Sequence, residues 1–209
     1  LFERVEQHRK PGTLITSNTS GIPIGMLSEG RSEDFRKHFC GTHFFNPPRY
    51  LQLLEIIPGP DTLPEVLEFF TAYGERILGK QSVLCKDTPA FIANRVGVFA
   101  IQALFHTVED MGLSVEAVDK LTGPAMGRPK SATFRTCDVV GIDTLVHVAK
   151  GVADNCPNDE RSEVFAIPSY VQHLVDEGAL GSKSGKGFYK KVVTDCLLYT
   201  SDAADDSLR

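Results

Sequence analysis

The fold is decided around the segment Phe39-Cys40-Gly41-Thr42-His43-Phe44-Phe45, whose apolar run predicts a β-strand. Asn46-Pro47-Pro48 ends the strand, because proline has no amide hydrogen to donate to a sheet. Three further runs of apolar and β-branched residues predict strands before and after it. They are Thr13–Ser17, Leu51–Ile57 and Ser82–Cys85.

Helical patterns separate these strands. Leu1–Lys10 has helical character and stops at Pro11-Gly12, and Ser32–Lys37 predicts a short helix. Leu63–Leu78 carries apolar residues at helical spacing and ends at Gly79. Strands alternating with helices predict an α/β architecture with a partly parallel sheet.

The pattern changes near Pro89, after which the chain becomes mainly helical. We therefore predict an α/β domain over residues 1–88, followed by an all-α domain over 89–191. The helices expected in the second part are Phe91–Met111, a helix capped by Ser114 that runs through Leu121, Val139–Asn155 and Ser169–Glu177.

Composition narrows the classes of function. The chain has 209 residues, is 42% hydrophobic and 23% charged, and carries a net charge of -5. That charge gives no basic field for nucleic acid or anionic lipid. No apolar run approaches the roughly 18 residues of a membrane span. The five cysteines are widely spaced, without a Cys-x-x-Cys pair, so neither a disulfide framework nor a metal site is expected.

His43 is the first candidate for chemistry. A histidine in an apolar strand is more often a hydrogen-bonded core residue than a catalytic one, and the pattern alone leaves both interpretations open. Glu55 also interrupts an apolar run, where a buried carboxylate is costly unless it is paired. A His43–Glu55 pair would remove that cost and would fix the tautomer and basicity of the imidazole.

The glycine-rich stretch Gly181–Gly187 does not meet the requirements of a phosphate-binding P-loop. Three residues instead of four separate Gly181 from Gly185-Lys186, and Gly187 stands where serine or threonine is needed. We interpret the stretch as a loop, with a lysine reaching a cofactor as the alternative. The G-x-G-x-x-G dinucleotide fingerprint is absent from the sequence.

The two ends differ from those expected of a complete protein. Leu1-Phe2-Glu3-Arg4-Val5 has no initiator methionine and no signal-peptide layout. The run from Cys196 to Asp206 resembles a translated sequencing adapter, so 192–209 is interpreted as a non-native or disordered tail, with a polar native tail as the alternative. We therefore expect a fragment whose first domain has lost its front.

Five motifs, in this order, resemble the NAD-dependent 3-hydroxyacyl-CoA dehydrogenases. The resemblance covers about Thr13 to Lys191. The sequence between Gly21 and Arg49 is most similar to that of bacterial multifunctional members with a fused enoyl-CoA hydratase domain. The motifs are Ser17-Asn18-Thr19-Ser20, Gly41-Thr42-His43-Phe44-Phe45-Asn46-Pro47-Pro48, Lys86-Asp87-Thr88-Pro89-Ala90-Phe91-Ile92-Ala93-Asn94-Arg95, Val140-Gly141-Ile142-Asp143-Thr144 and Lys183-Ser184-Gly185-Lys186-Gly187-Phe188-Tyr189.

The resemblance implies a fold and an activity. The fold would be the rear part of a Rossmann domain that binds NAD, followed by a helical 6-phosphogluconate-dehydrogenase-like domain that contacts acyl-CoA and forms a homodimer. The activity would be oxidation of (S)-3-hydroxyacyl-CoA to 3-oxoacyl-CoA in fatty-acid β-oxidation, in the bacterial cytoplasm. The glycine loop would lie upstream of Leu1, so the fragment itself is expected to be inactive.

The resemblance also assigns residues to the reaction. His43 matches the catalytic base, and Glu55 matches the carboxylate that stabilises its charged form. Three polar residues match substrate-binding positions. They are Ser20 and Asn94, which hold the reacting oxygen, and Asn46, near nicotinamide and substrate.

Four positions match residues around the cofactor, and no metal is expected. Lys183 would reach NAD from the C-terminal loop, Asn46 and Ser20 would lie near the nicotinamide, and Asn18 would contribute to the same pocket. Without the resemblance, Asn94-Arg95 could be a plain helix start and Ser20 only a turn residue.

Three alternatives to this function were weighed. The first is a 3-hydroxybutyryl-CoA dehydrogenase, and the second is a non-catalytic relative of the crystallin type. The second predicts loss of the base or its partner, whereas His43 and Glu55 are both present. The third is another hydroxyacid dehydrogenase, a class that commonly uses a lysine base, which this sequence does not favour.

Overall fold

The computed structural model describes residues 1–190. In that part of the chain, four strands form one mixed sheet in the order β1-β2-β3-β4. β1 is parallel to β2, β2 is antiparallel to β3, and β3 is parallel to β4. The partly parallel sheet expected from the sequence is therefore confirmed. The strands are β1 (Ile15–Ser17), β2 (Phe39–Phe44), β3 (Leu53–Pro58) and β4 (Gln81–Leu84).

Four helices belong to the same half of the chain. They are α1 (Phe2–His8), α2 (Ile24–Ser28), α3 (Glu33–Lys37) and α4 (Pro64–Arg76). Helix α2 was not predicted, because it has no side-chain cap of its own and its first amides are satisfied by the distant Asp87. Helix α3 begins as expected, with the Ser32 hydroxyl accepting a hydrogen bond from the Phe35 amide.

The two faces of the sheet pack against different helices. On one face, a Cβ added to Gly41 would lie 2.8 Å from the Cδ1 atom of Ile24, so the glycine allows α2 to approach β2. On the other face, a Cβ added to Gly74 of α4 would lie 2.8 Å from Leu54. The core of the first face consists of Ile24, Phe35, Phe39, Ile57, Cys85 and Phe91.

The second half of the described chain is helical, as predicted. Its helices are α5 (Ala93–Met111), α6 (Val115–Thr122), α7 (Phe134–Val140), α8 (Ile142–Asn155) and α9 (Ser169–Asp176). The predicted cap of α6 is confirmed by the hydrogen bond from the Ala117 amide to Ser114. The helix expected from Val139 instead begins at Ile142. Gly141, at φ 103°, separates it from α7, a helix that the sequence did not predict.

Two carboxylates, the half-buried Asp119 and the buried Asp138, hold the second half together. Asp119 accepts hydrogen bonds from the amides of Phe134 and Arg135 at the start of α7 and from the Tyr189 hydroxyl. Asp138 accepts from the amides of Phe188 and Tyr189. Burial raises the pKa of Asp138 above its ordinary value, and these hydrogen bonds offset only part of that effect.

The described chain divides into two compact units, one over Leu1–Arg95 and one that begins at Val96. The division falls inside α5, a few residues after the change of pattern at Pro89. Among the residues that the structure describes, no helix has the length and apolar character needed to cross a membrane. The expected tail, 192–209, lies outside the described residues.

Candidate active site

His43 and Glu55 are direct partners in the antiparallel ladder between β2 and β3. Residues opposite each other in such a ladder place their side chains on the same face of the sheet. The Nδ1 atom of His43 lies 2.7 Å from the Oε2 atom of Glu55. Both side chains are buried, with exposed fractions of 5% for His43 and 1% for Glu55. The pair expected from the sequence is therefore formed by strand register.

The second oxygen of Glu55 is bound by the start of α5. The amides of Ile92 and Ala93 donate hydrogen bonds of 3.1 and 2.8 Å to Oε1. A helix N-terminus also favours negative charge, because its backbone dipoles point toward it. Burial alone would raise the pKa of Glu55, but the hydrogen bonds from His43, Ala93 and Ile92 outweigh burial and hold the pKa below its ordinary value of 4.5. Glu55 is thus a buried carboxylate kept in its charged form.

An unusual turn aims these amides at Glu55. Ala90 and Phe91 have φ angles of 61° and 50°, in the left-handed region that residues with a side chain rarely adopt. Backbone strain of this kind persists only where the surrounding structure enforces it. The Phe91 ring lies 5.6 Å from the His43 ring, and the Phe45 ring lies 4.5 Å from it. The turn therefore supplies donors to Glu55 and one of the two aromatic neighbours of His43.

The hydrogen bond to Glu55 also fixes the tautomer of His43. A carboxylate can only accept, so the ring proton must be on Nδ1. Within residues 1–190 the Nε2 atom makes no hydrogen bond, and in a neutral ring it carries the lone pair. His43 is therefore arranged to accept a proton at Nε2 and to share the resulting charge with Glu55.

The loop after β1 is joined to the end of β2. The Oδ1 atom of Asn18 accepts a hydrogen bond of 2.9 Å from the Phe44 amide, next to His43. The side-chain oxygen of Asn18 is thus used within the protein. Ser20 lies two residues further on, exposed in the same loop. The structure brings this loop to the carboxyl ends of two parallel strands, where open α/β sheets bind ligands.

Asp87 is a residue of this region that the sequence interpretation missed. Its carboxylate accepts hydrogen bonds of 2.8 Å from the amides of both Ile24 and Gly25. It therefore fixes the start of α2, directly after the loop that carries Ser20. The only signal in the sequence was its place in the motif Lys86–Arg95, which says nothing about its partners.

Asn46 and Asn94 lie at the ends of elements that carry the pair. Asn46 follows β2, is exposed, and is joined to Pro47 by a cis peptide bond. Asn94 is the second residue of α5 and half-buried, beside the Ala93 amide that binds Glu55. In sequence, Asn46 thus lies three residues after His43, and Asn94 directly follows the Ala93 donor to Glu55.

Lys183 belongs to the second compact unit. Its ammonium is exposed and lies 2.6 Å from a carboxylate oxygen of Asp143. A Cβ on Gly181 would overlap the backbone of Asp138, and one on Gly187 would overlap its carboxylate, so these glycines allow the loop to close on α7. The glycine-rich stretch therefore has a packing role.

The region beyond the carboxyl ends of β1 and β2 has the composition expected for the nicotinamide end of a dinucleotide site. At the carboxyl ends of β1 and β2 the side chains of Asn18, Ser20 and Asn46 are polar and uncharged, which suits a nicotinamide carboxamide. The residues present thus fit the nicotinamide end of NAD. Within residues 1–190 no three histidine, cysteine or acidic side chains are arranged to hold a metal ion.

Comparison with known protein families gives matches over nearly the whole described chain. Residues 1–88 match the family described as "3-hydroxyacyl-CoA dehydrogenase, NAD binding domain". Residues 91–191 match "3-hydroxyacyl-CoA dehydrogenase, C-terminal domain".

Similar sequences carry related names. A probable 3-hydroxyacyl-CoA dehydrogenase of Bacillus subtilis is 56% identical over 91% of this chain and 24% of its own length. A protein of the same name from Deinococcus radiodurans is 49% identical over 91% of this chain and 54% of its own length. A putative fatty acid oxidation complex trifunctional enzyme of Rickettsia felis is 32% identical over 93% of this chain and 27% of its own length. The chain thus spans a quarter to about half of the length of these relatives.

Solved structures give the same picture of the fold. An (S)-3-hydroxybutyryl-CoA dehydrogenase from Ralstonia eutropha superposes with a TM-score of 0.82 at 26% identity, covering 92% of this chain and 65% of that one. A 3-hydroxybutyryl-CoA dehydrogenase from Escherichia coli gives a TM-score of 0.79 at 28% identity, with coverages of 93% and 42%.

Proposed function

The chain belongs to the 3-hydroxyacyl-CoA dehydrogenases, a family of NAD-dependent oxidoreductases, and on that premise we propose that the protein oxidises (S)-3-hydroxyacyl-CoA to 3-oxoacyl-CoA in fatty-acid β-oxidation. The observation that carries the proposal is the buried His43–Glu55 hydrogen bond of 2.7 Å, together with the unpaired Nε2 of His43 within residues 1–190. A base with one free nitrogen suits removal of a hydroxyl proton.

In this mechanism, Nε2 of His43 takes the proton from the 3-hydroxyl group of the substrate. Glu55 stabilises the imidazolium that forms, and the amides of Ile92 and Ala93 keep Glu55 charged while it does so. NAD, when bound, would supply the acceptor for the hydride of C3. The residues of this chain therefore hold and move the proton, in a place where burial strengthens each electrostatic interaction.

Polar residues around the pair are proposed to orient the substrate. Ser20 and Asn94 would donate hydrogen bonds to the reacting oxygen, since neutral donors polarise a carbonyl without competing for the proton. Asn46 would lie near both nicotinamide and substrate. Asn18 would keep the loop after β1 in place through its hydrogen bond with the Phe44 amide of β2. Lys183 remains a proposed cofactor ligand on the family resemblance alone.

A 3-hydroxybutyryl-CoA dehydrogenase is the second candidate, favoured by the TM-score of 0.82 to the Ralstonia eutropha enzyme of that name. The two candidates differ in the length of the acyl chain and share the same chemistry. A non-catalytic relative is disfavoured, because His43 and Glu55 are both present and hydrogen-bonded.

The assembly of the whole protein is also a proposal. We expect a homodimer formed by the helical half and a fused enoyl-CoA hydratase domain in the protein as its gene encodes it. The Rickettsia felis relative described as trifunctional supports the fusion. We also propose a bacterial cytoplasmic location; of that proposal, the Bacillus subtilis and Deinococcus radiodurans relatives support the bacterial origin.

The test is His43→Gln in the protein as its gene encodes it. Loss of a general base lowers turnover by about 10²–10⁴-fold, whereas binding of acyl-CoA should be largely kept. The reaction is followed by NADH absorbance, and binding by calorimetry. His38→Gln is the matched control, because His38 is also near a carboxylate, Asp34, at 3.4 Å, but has no proposed part in the reaction. Near-wild-type turnover of His43→Gln would contradict the proposed mechanism.

A further inference from the structure

Lys80 makes an unusual set of contacts just before β4. Its ammonium donates hydrogen bonds to the carbonyl oxygens of Pro48 and Leu51, the latter at 2.7 Å. It also lies 5.9 Å from the centre of the Phe44 ring, within the range of a cation–π interaction. The side chain is half-buried, so these contacts are partly shielded from water. One lysine thus joins the end of β2 to the loop that follows it.

Apart from Lys80, the loop is bound by few hydrogen bonds, and those come from backbone amides. Residues 46–52 are all exposed, and Tyr50 keeps 73% of its surface exposed. Its internal hydrogen bonds run from the amides of Tyr50 and Leu51 to the carbonyl of Pro47. At the end of the loop, the Gln81 amide donates a hydrogen bond of 2.8 Å to the carbonyl of Gln52. Among the described residues, the Lys80 ammonium is the side-chain donor that ties this loop to the rest of the first unit. The position of the loop should therefore depend on that charge.

We propose that Lys80 is a positioning residue for the dehydrogenase reaction, which clamps residues 46–51 so that Asn46 is held beside the substrate. The inference rests on the proposed function. Lys80 touches neither substrate nor cofactor, and it acts through the loop. Its charge matters because hydrogen bonds from a charged donor are stronger than those between neutral groups.

The clamp and the catalytic pair are structurally separate. His43 is held by the β2–β3 ladder and by Glu55, and neither contact involves Lys80. Loss of the clamp should therefore displace Asn46 and leave the proton-accepting pair intact. This predicts a specific signature, in which kcat/KM falls while the pH dependence of the rate keeps its shape.

The experiment compares three variants in the protein as its gene encodes it. Lys80→Met removes the charge and keeps the chain length, while Lys80→Arg keeps the charge and several donors. Lys10→Met is the control, because Lys10 is exposed in the same unit and its ammonium makes no hydrogen bond or ion pair within residues 1–190. Hydrogen exchange of the Tyr50 and Leu51 amides is measured beside kcat, KM and the pH profile.

In Lys80→Met we expect exchange of these two amides to become about tenfold faster, and kcat/KM to fall by a similar factor, since two hydrogen bonds from a charged donor are lost. Lys80→Arg should restore both the amide exchange and kcat/KM most of the way to the wild-type values, and Lys10→Met should change neither. If Lys80→Met fails to fold, Lys80→Gln, which keeps one donor group, is expected to give smaller changes of the same kind.

Unchanged amide exchange in the folded variants would overturn the clamp, and so would a changed pH profile. Hydrogen exchange does not depend on activity, so it separates this proposal from the assigned reaction. If wild type lacks dehydrogenase activity but the exchange of Tyr50 and Leu51 still responds to Lys80, the proposed function fails and the clamp stands as a structural contact only.

Discussion

Glu55 shows how a single buried carboxylate acquires a defined charge. Three hydrogen bonds reach it, one from His43 and two from the backbone at the start of α5. Each donor favours the ionised form, and together they outweigh the cost of burial. The same contacts give the side chain a measurable effect on stability.

Glu55→Gln should remove a pH-dependent part of the free energy of unfolding. Because the pKa of Glu55 is lower in the folded state than its ordinary value of 4.5, its contribution is present above 4.5 and is lost as pH falls through the folded value. The difference in unfolding free energy between wild type and variant should thus be steady near neutral pH and shrink in acid. Urea denaturation from neutral pH to about pH 3 measures it.

Glu29→Gln serves as the control for this measurement. Glu29 is exposed, and its carboxylate makes no hydrogen bond or ion pair within residues 1–190. Its substitution should leave the stability difference close to zero at every pH. A Glu55→Gln difference that stays constant into acid would mean that the carboxylate is not held in its charged form.

The sequence suggested a His43–Glu55 pair, but it could not show that the two residues meet or what surrounds them. Both residues interrupt apolar strands, and a polar residue in such a place needs a partner. The amides that hold Glu55 depend on left-handed backbone at Ala90 and Phe91, which nothing in those residue types indicates. Asp87 is bound to amides more than sixty positions earlier in the chain, a contact that only the folded structure brings together.

At the scale of elements, α4 and the sheet approach so closely that one position must be glycine. A Cβ on Gly74 would lie 2.6 Å from the Ser82 hydroxyl and 2.8 Å from a methyl group of Leu54. Gly151 in α8 offers the opposite case, since nothing lies within 4 Å of the corresponding position. The same substitution should therefore have opposite effects at these two sites.

Gly74→Ala should destabilise the protein, because overpacking costs about 1–3 kcal/mol and the gain in helix propensity returns only about 0.5–1 kcal/mol. Gly151→Ala should stabilise it by about 0.5–1 kcal/mol, since propensity acts there alone. Urea denaturation of the two variants and of wild type measures the sign of each change in the free energy of unfolding. A stabilised Gly74→Ala would show that α4 lies further from the sheet than described.

Most elements were predicted from the sequence, and the two helices that were missed are both short. The strands and the helices α4, α5 and α9 follow from apolar spacing, with ends displaced by one or two residues. Helices α2 and α7 were missed because neither has a side-chain cap at its own N-terminus, and their first amides depend on the distant Asp87 and Asp119. The start of α8 shifted because Gly141 takes a φ of 103° and interrupts the helical pattern.

At the scale of the whole molecule, the change of pattern at Pro89 and the division of the chain after Arg95 lie close together without coinciding. The sequence pattern changes near Pro89, where the apolar strands end. The boundary between the two compact units falls later, because the first residues of α5, which begins at Ala93, pack with the first unit. The start of α5 therefore belongs to the unit that contains the catalytic pair. This explains how a residue of the helical segment, Asn94, can be proposed for substrate binding.

The helical unit exposes several large apolar side chains, a feature that favours association when such residues are adjacent. Those with more than half of their surface exposed are Val96, Met111, Leu121, Met126, Val139 and Val140. The family resemblance implies that a second copy of the chain covers these side chains in a homodimer. Closed symmetric dimers bury the same patch on both subunits, so one charged substitution acts twice.

We therefore predict that Leu121→Glu or Val139→Glu shifts the protein as its gene encodes it from dimer to monomer in sedimentation velocity at micromolar concentration. Each would bury an unpaired charge in the interface, at a cost of several kcal/mol. Met26→Glu is the control, since Met26 is 65% exposed in the α/β unit and should not affect association. Circular dichroism checks that each variant is folded. A monomeric wild type, or a dimer that survives both substitutions and yields to Met26→Glu, would contradict a dimer formed by the helical half.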